Sequence, residues 1–144
     1  MKITNGKILV FLGTIHLLFA VTPFAFGKQF SFFASKMFFK INEGILEFPL
    51  LKGQMNYENF AAFWFFYAGL LLIPLGILVN HIEGLGKKIP ASFMYTYLIV
   101  VIVGVYMIPF SGMTVFMLPH AIYMMITRRK QTKQAADKIT ITNA

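Results

Sequence analysis

The chemistry open to a mostly apolar chain is set by its few polar side chains, and the two most informative here are histidines. His16 and His120 each stand inside a long run without Asp, Glu, Lys or Arg. Counted from the starts of their runs at Ile8 and Gly112, each lies eight residues in, about 12 Å along a helix. The two runs point in opposite directions, so both imidazoles are expected near one depth and able to face each other. Three chemistries suit such a pair. They are hydrogen bonds that fix helix packing, the polar floor of a binding or catalytic pocket, and bis-histidine haem ligation. Zinc needs three or four ligands, and the third histidine, His81, falls at the end of its own run. No metal is therefore expected and no cofactor is assigned, haem being the one the residues would admit.

Other polar groups extend the candidate ligand-binding set. Tyr123 follows His120 by three positions, a spacing that puts neighbours on one helical side, and a Tyr–His couple can move a proton. Tyr67 lies within the second apolar run, and its hydroxyl needs a partner if buried. Glu58 precedes that run, where a carboxylate suits a helix N-terminus, and Trp64 suits an interfacial anchor. Pro119 removes the donor that the Val115 carbonyl would use in a regular helix, beside His120. In the loop, Glu43 and Glu47 are one helical turn apart. The candidates are thus His16, His120, Tyr123, Tyr67, Trp64 and Glu58, with no catalytic residue assigned. No Gly-rich phosphate loop, G-x-S-x-G elbow or pair of carboxylates within an apolar run is present. With no Cys, disulfides, thiolate metal sites, iron–sulfur clusters and cysteine nucleophiles are excluded.

The elements that must position these residues follow from composition. Of 144 residues, 58% are hydrophobic and 12% charged, against about 25% charged in a soluble domain. Four windows carry no charge: 8–26, 60–79, 92–110 and 112–127. The first three reach roughly 28–30 Å and the fourth about 24 Å, near the thickness of a hydrocarbon core. The fourth is closed by Arg128-Arg129-Lys130. The expected fold is all-α, a transmembrane four-helix bundle of two antiparallel hairpins over residues 1–130, followed by a polar tail at 131–144. The first window is too long for a cleaved signal peptide and is expected to stay as a helix.

Charge placement orients the bundle. Nine Lys and Arg fall at the N-terminus, between the second and third windows and in the tail, whereas four fall in the 27–59 segment. The positive-inside rule puts both termini in the cytoplasm and makes 27–59 external. Phe30, Phe33, Met37, Ile41 and Ile45 recur there at helical spacing, which predicts a helix within 30–47 lying in the interface or over the bundle as a lid. The formal charge of +8 is gathered at window ends, so it reads as topology and no nucleic acid is expected. The expected partners are the bilayer, an apolar small molecule or lipid, and a membrane-protein partner or a second copy.

Certain segments resemble a family. Gly13-x-x-His16, Ala62-Phe63-Trp64-Phe65 with Gly69, Ile89-Pro90, and Met107-Ile108-Pro109-Phe110-Ser111-Gly112 are similar to an uncharacterised family of small bacterial four-span membrane proteins, classed only as a domain of unknown function. The resemblance covers about residues 5–130 and implies a multi-pass inner-membrane protein, with no activity attached. The first functional expectation is a binder of an apolar small molecule, lipid or membrane partner in an intrabundle cavity. The alternatives are a membrane enzyme using His acid/base chemistry on a lipid, quinone or isoprenoid, and a proton or small-solute carrier.

Overall fold

A computed structural model describes residues 3–32, 34–35 and 57–129, and these are helical with no strand among them. The elements are α1 (Asn5–Ala20), α2 (Gly27–Phe32), α3 (Tyr57–Gly84), α4 (Ala91–Met107) and a last helical stretch. That stretch opens with a π-turn at Met113–Met117 and continues as α5 over 118–129. The expected lid helix falls mostly outside the described residues, as do Glu43, Glu47 and the tail.

Each helix starts and stops for a local reason. Thr4 caps α1, its hydroxyl accepting from the Lys7 N–H at 3.2 Å, the usual bond from an N-cap side chain to the third helical amide. The first apolar window runs to Phe26, yet α1 ends at Ala20 because Pro23 biases Thr22 away from helical backbone. The chain folds back through Phe26 N–H to Ala20 O (3.0 Å) and Gly27 N–H to Thr22 O (2.9 Å). Only glycine fits at 27, since a Cβ there would lie 2.9 Å from the Thr22 oxygen. Helix α3 overruns its charge-free window at both ends, from Tyr57 to Gly84. It closes with Gly86 at φ 69°, the Gly86 N–H bonding Glu83 O (3.0 Å) and the Lys87 N–H bonding Ile82 O (3.2 Å). That bond pair is a Schellman motif. Helix α4 stops at Met107, short of the window's end at residue 110, because Pro109 follows. The π-turn Met113–Met117 sits just ahead of Pro119, where widening the backbone accommodates a ring that can neither donate nor fit a regular turn.

The chain divides into two compact units, residues 9–75 and residues 1–8 with 76 onward. In the first, the later part of α1 lies on α3 with main chains nearly touching: a Cβ on Gly13 would come within 3.0 Å of Gly69 O and of the Leu72 and Ile73 side chains. Ala62 is fully buried, with Phe26, Phe30 and Phe32 packed on it. In the second unit, a Cβ on Gly6 would collide with the Asn80 main chain. Gly6, Gly13 and Ala20 on α1, and Ala62, Gly69 and Gly76 on α3, are all buried and recur every seven residues. Within the first unit the small residues Gly13 and Gly69 let α1 and α3 approach closely.

The buried residues are mostly apolar, among them Leu9, Val79, Met94, Val101 and Met124, yet many large apolar side chains are exposed. Leu71, Ile77 and Leu78 on α3 and Ile99, Val100, Ile102 and Val103 on α4 are exposed. Asn5, Asn59 and His120 are buried. One helix among the described residues, Tyr57–Gly84, is long and apolar enough to cross a membrane, and 22% of its most apolar stretch is buried. Helices α1 and α4 are apolar but shorter.

Candidate functional site

The unit formed by residues 1–8 and 76 onward gathers the densest set of polar side chains. Helix α1 begins at Asn5, and its free N-terminal amides carry partial positive charge. Glu83, in the last turn of α3, answers it: Oε2 accepts from the Gly6 N–H at 3.0 Å and Oε1 from Asn5 Nδ2 at 2.6 Å. Beside it, Thr4 donates to Asn80 Oδ1 at 2.6 Å. The same threonine therefore caps α1 and ties it to α3.

His120, at the start of α5, completes the centre. It is buried together with Ala121 and Met124, and its Nδ1 meets the Tyr97 hydroxyl of α4 at 3.1 Å, the rings standing edge to face. The Asn5 main chain and the Glu83 carboxylate lie near the imidazole. Two buried atoms in this centre have no hydrogen-bond partner, Asn5 Oδ1 and His120 Nε2. An unmet group of this kind costs about 1–3 kcal/mol, and for His120 the Asn5 main chain beside the ring offsets part of that cost.

His16 lies in the other unit and has its own arrangement. Its Nε2 is 2.8 Å from Phe65 O; a carbonyl only accepts, so Nε2 carries the proton. The ring stacks on Phe65 at 4.1 Å between centroids, and Phe26 and Phe19 flank the same phenyl. This is a hydrogen-bonded packing contact in an aromatic seam. The two histidines thus answer to different parts of α3, His16 to Phe65 in its first half and His120 to Glu83 in its last turn.

The remaining sequence candidates divide as follows. Trp64 and Tyr67 come together on α3, stacked and edge-to-face with Phe60 and Phe63, and both are exposed. Glu58, in the first turn of α3, accepts from Gln29 Nε2 of α2 at 3.1 Å. Tyr123 is 42% exposed. The buried positions of α5 are 120, 121 and 124, which centre the inward face C-terminal to His120; a residue at +3 then turns to its edge. The tyrosine that does reach His120 is Tyr97.

Tyr97, Asn5, Glu83 and Asn80 are therefore the site residues that sequence reasoning missed. Glu83 was hidden because the charge-free window ends at Val79, whereas the helix continues to Gly84. Asn5 was hidden because the first window was counted from Ile8. A signal was available in both cases, an uncharged amide and a carboxylate just beyond the ends of two antiparallel apolar runs. Among the described residues no group of three or more His, Cys, Asp or Glu is arranged to hold a metal.

A family model described as Family of unknown function (DUF6463) matches residues 1–131. No curated protein and no solved structure matches the chain.

Proposed function

The chain belongs to the Family of unknown function (DUF6463), and for this member we propose a small, non-enzymatic, multi-pass protein of a bacterial inner membrane. Both termini lie in the cytoplasm, and the buried polar centre receives a small membrane-soluble molecule. The observation that carries this reading is the large apolar surface left exposed along the helices. Leu71, Ile77 and Leu78 on α3 and Ile99, Val100, Ile102 and Val103 on α4 are exposed, while Asn5, Asn59 and His120 are buried. In water that arrangement would forfeit about 25 cal/mol for each Å² of apolar surface left wet; in hydrocarbon it costs nothing.

Four spans are the simplest arrangement. Helix α3 crosses on its own. Helices α1 and α4, of 16 and 17 residues, reach about 24–26 Å, and a bilayer thins by a few Å at modest cost. The stretch from 112 onward supplies the fourth. Lysines near the start of α1 and after α3 favour the cytoplasm for the end that holds Asn5 and Glu83.

Reporter fusions test this directly. A fusion after Lys28 is expected to report the periplasm and one after Arg129 the cytoplasm. The opposite result at both points reverses the orientation, and release of the whole chain by alkaline carbonate washing of membranes sinks the membrane reading altogether. The Tyr97–His120 bond beside Glu83 favours one second reading, a membrane enzyme using His120 as acid and base on a lipid, quinone or isoprenoid. Turnover of such a substrate, lost in a His120 variant that still binds it, separates the two.

A further inference from the structure

The two turns that bound α4 differ in chemistry. The link from α3 carries Lys87 and Lys88. The link onward to the Met113–Met117 π-turn, residues 108–112, carries no charge, and neither does any residue from Ile89 to Thr127. Its apolar side chains nevertheless stand clear of the protein. Tyr106 and Phe110 are 85% and 102% exposed, and Met107 and Ile108 between them are exposed as well. Several polar main-chain groups of the turn are met from within. The Ile108 N–H donates to Gly104 O at 2.9 Å, and the Thr114 and Val115 amides donate to Ser111 O at 3.1 and 3.3 Å. The Thr114 hydroxyl donates to Pro109 O at 2.5 Å, and Pro109 has no N–H to satisfy. A turn in bulk water gains little from closing its own carbonyls, whereas at the edge of hydrocarbon each group closed internally is one fewer to strand.

We propose that this turn is a lipid-binding tip, seated at the boundary between acyl chains and headgroups of the far leaflet and not projecting into water. Length decides the depth. Helix α4 begins at Ala91, just past Lys88, and its 17 residues rise about 26 Å, whereas the hydrocarbon core is about 30 Å thick. With the lysines held at one interface, the turn arrives at the opposite edge of the hydrocarbon and not beyond it. Arg128 and Arg129 then mark the return of the chain to the side it left. Tyr106 and Phe110 suit that edge, Tyr106 because its ring is apolar and its hydroxyl polar. Composition favours lipid over a protein partner. A protein interface surrounds its apolar centre with a polar rim, and the turn offers only Ser111 and, just beyond it, Thr114. The assignment rests on the membrane reading above and deepens it by naming what the tip between α4 and α5 touches.

The chain has no cysteine and a single tryptophan, Trp64, so probes at one position are read without background once Trp64→Phe removes the indole. The full chain is placed in nanodiscs of phosphatidylcholine and phosphatidylglycerol, which leave both faces open to water. Phe110→Cys is expected to react with a charged, membrane-impermeant maleimide about tenfold more slowly than Leu85→Cys in the lysine-bearing turn, because only the thiolate reacts and apolar surroundings keep a thiol protonated. Phe110 is fully exposed, so slow reaction there means a cover from outside the chain. Phe110→Trp in the Trp64→Phe chain identifies the cover. Its emission is expected to be quenched by lipids brominated on their acyl chains and spared by aqueous iodide, the reverse of Leu85→Trp. Equal labelling at positions 110 and 85 overturns the proposal, as does iodide quenching as strong at 110 as at 85. So does a slow cysteine together with an indole that brominated lipid leaves bright, which assigns the tip to a protein partner or a second copy. Tyr106→Cys serves in the same comparison if the Phe110 variants do not fold. Release of the whole chain by alkaline carbonate refutes the membrane reading itself, and the two failures are thereby distinguished.

Discussion

At the scale of single residues, the two tyrosines beside His120 carry opposite expectations. Tyr97 holds Nδ1 at 3.1 Å in a buried setting, whereas Tyr123 is 42% exposed. Tyr97→Phe strands a buried ring nitrogen and is expected to lower stability by about 1–3 kcal/mol. Tyr123→Phe is expected to stay within about 0.5 kcal/mol of the parent. Chemical unfolding in mild detergent compares them, and equal losses would show that the hydrogen bond does not hold the centre together. Glu83→Gln is informative for a different reason. Both carboxylate oxygens accept, one from Gly6 N–H and one from Asn5 Nδ2, while an amide has one oxygen and must turn its NH₂ toward a donor. A loss of about 1–3 kcal/mol follows from the one bond left unmade. A neutral outcome by the same unfolding measurement would mean that the α1 N-terminus does not depend on this carboxylate.

At the scale of elements, the glycines of α1 and α3 rank by what a methyl group would meet. At Gly6 it collides with the Asn80 main chain, which cannot move without shifting a helix. At Gly13 it lies 3.0 Å from a carbonyl and two side chains, which can yield by a few tenths of an ångström, and at Gly84 it meets nothing within 4 Å. Alanine at 6 is therefore expected to abolish the fold or cost well over the 1–3 kcal/mol usual for overpacking. Alanine at 13 falls within that range, and at 84 alanine is neutral or gains up to about 1 kcal/mol from helix propensity. Thermal melting of the three variants checks the order; Gly6→Ala melting with the parent would show that α1 and α3 do not approach closely there. The seven-residue spacing behind this seam is plain in the letters, Gly6, Gly13, Ala20 and Ala62, Gly69, Gly76. It gains meaning only once α1 and α3 are known to be partners, since small residues at a fixed spacing also occur on helices that pack against nothing.

At the scale of the whole molecule, the exposed apolar faces are where the surrounding solvent can be tested. Val103 is 50% exposed near the middle of the α4 outer face. If lipid lies there, Val103→Lys is expected to cost about 2.5–3.5 kcal/mol of insertion free energy and to reduce the membrane-integrated fraction in a fractionation assay. If water lies there, lysine is harmless or improves solubility, and an unchanged membrane fraction would count against a lipid-facing α4.

Composition and charge placement alone were enough to read an all-helical chain, the four apolar runs and the prolines that stop or distort helices. These are properties of short windows, fixed by backbone hydrogen bonding and by the position of each breaker. The sequence also marked His120 as unusual, because a strongly polar group in an apolar run is conspicuous wherever it points. Only the tertiary structure decided which groups meet. It gave His16 to the Phe65 carbonyl and His120 to Tyr97, with Asn5 and Glu83 beside the latter. Partners of this kind lie far apart in sequence, such as Asn5 and Glu83 on α1 and α3, and which of them meet depends on helix register and rotation. A shift of one residue turns a helix by about 100°, so no reading of windows one at a time could have paired them.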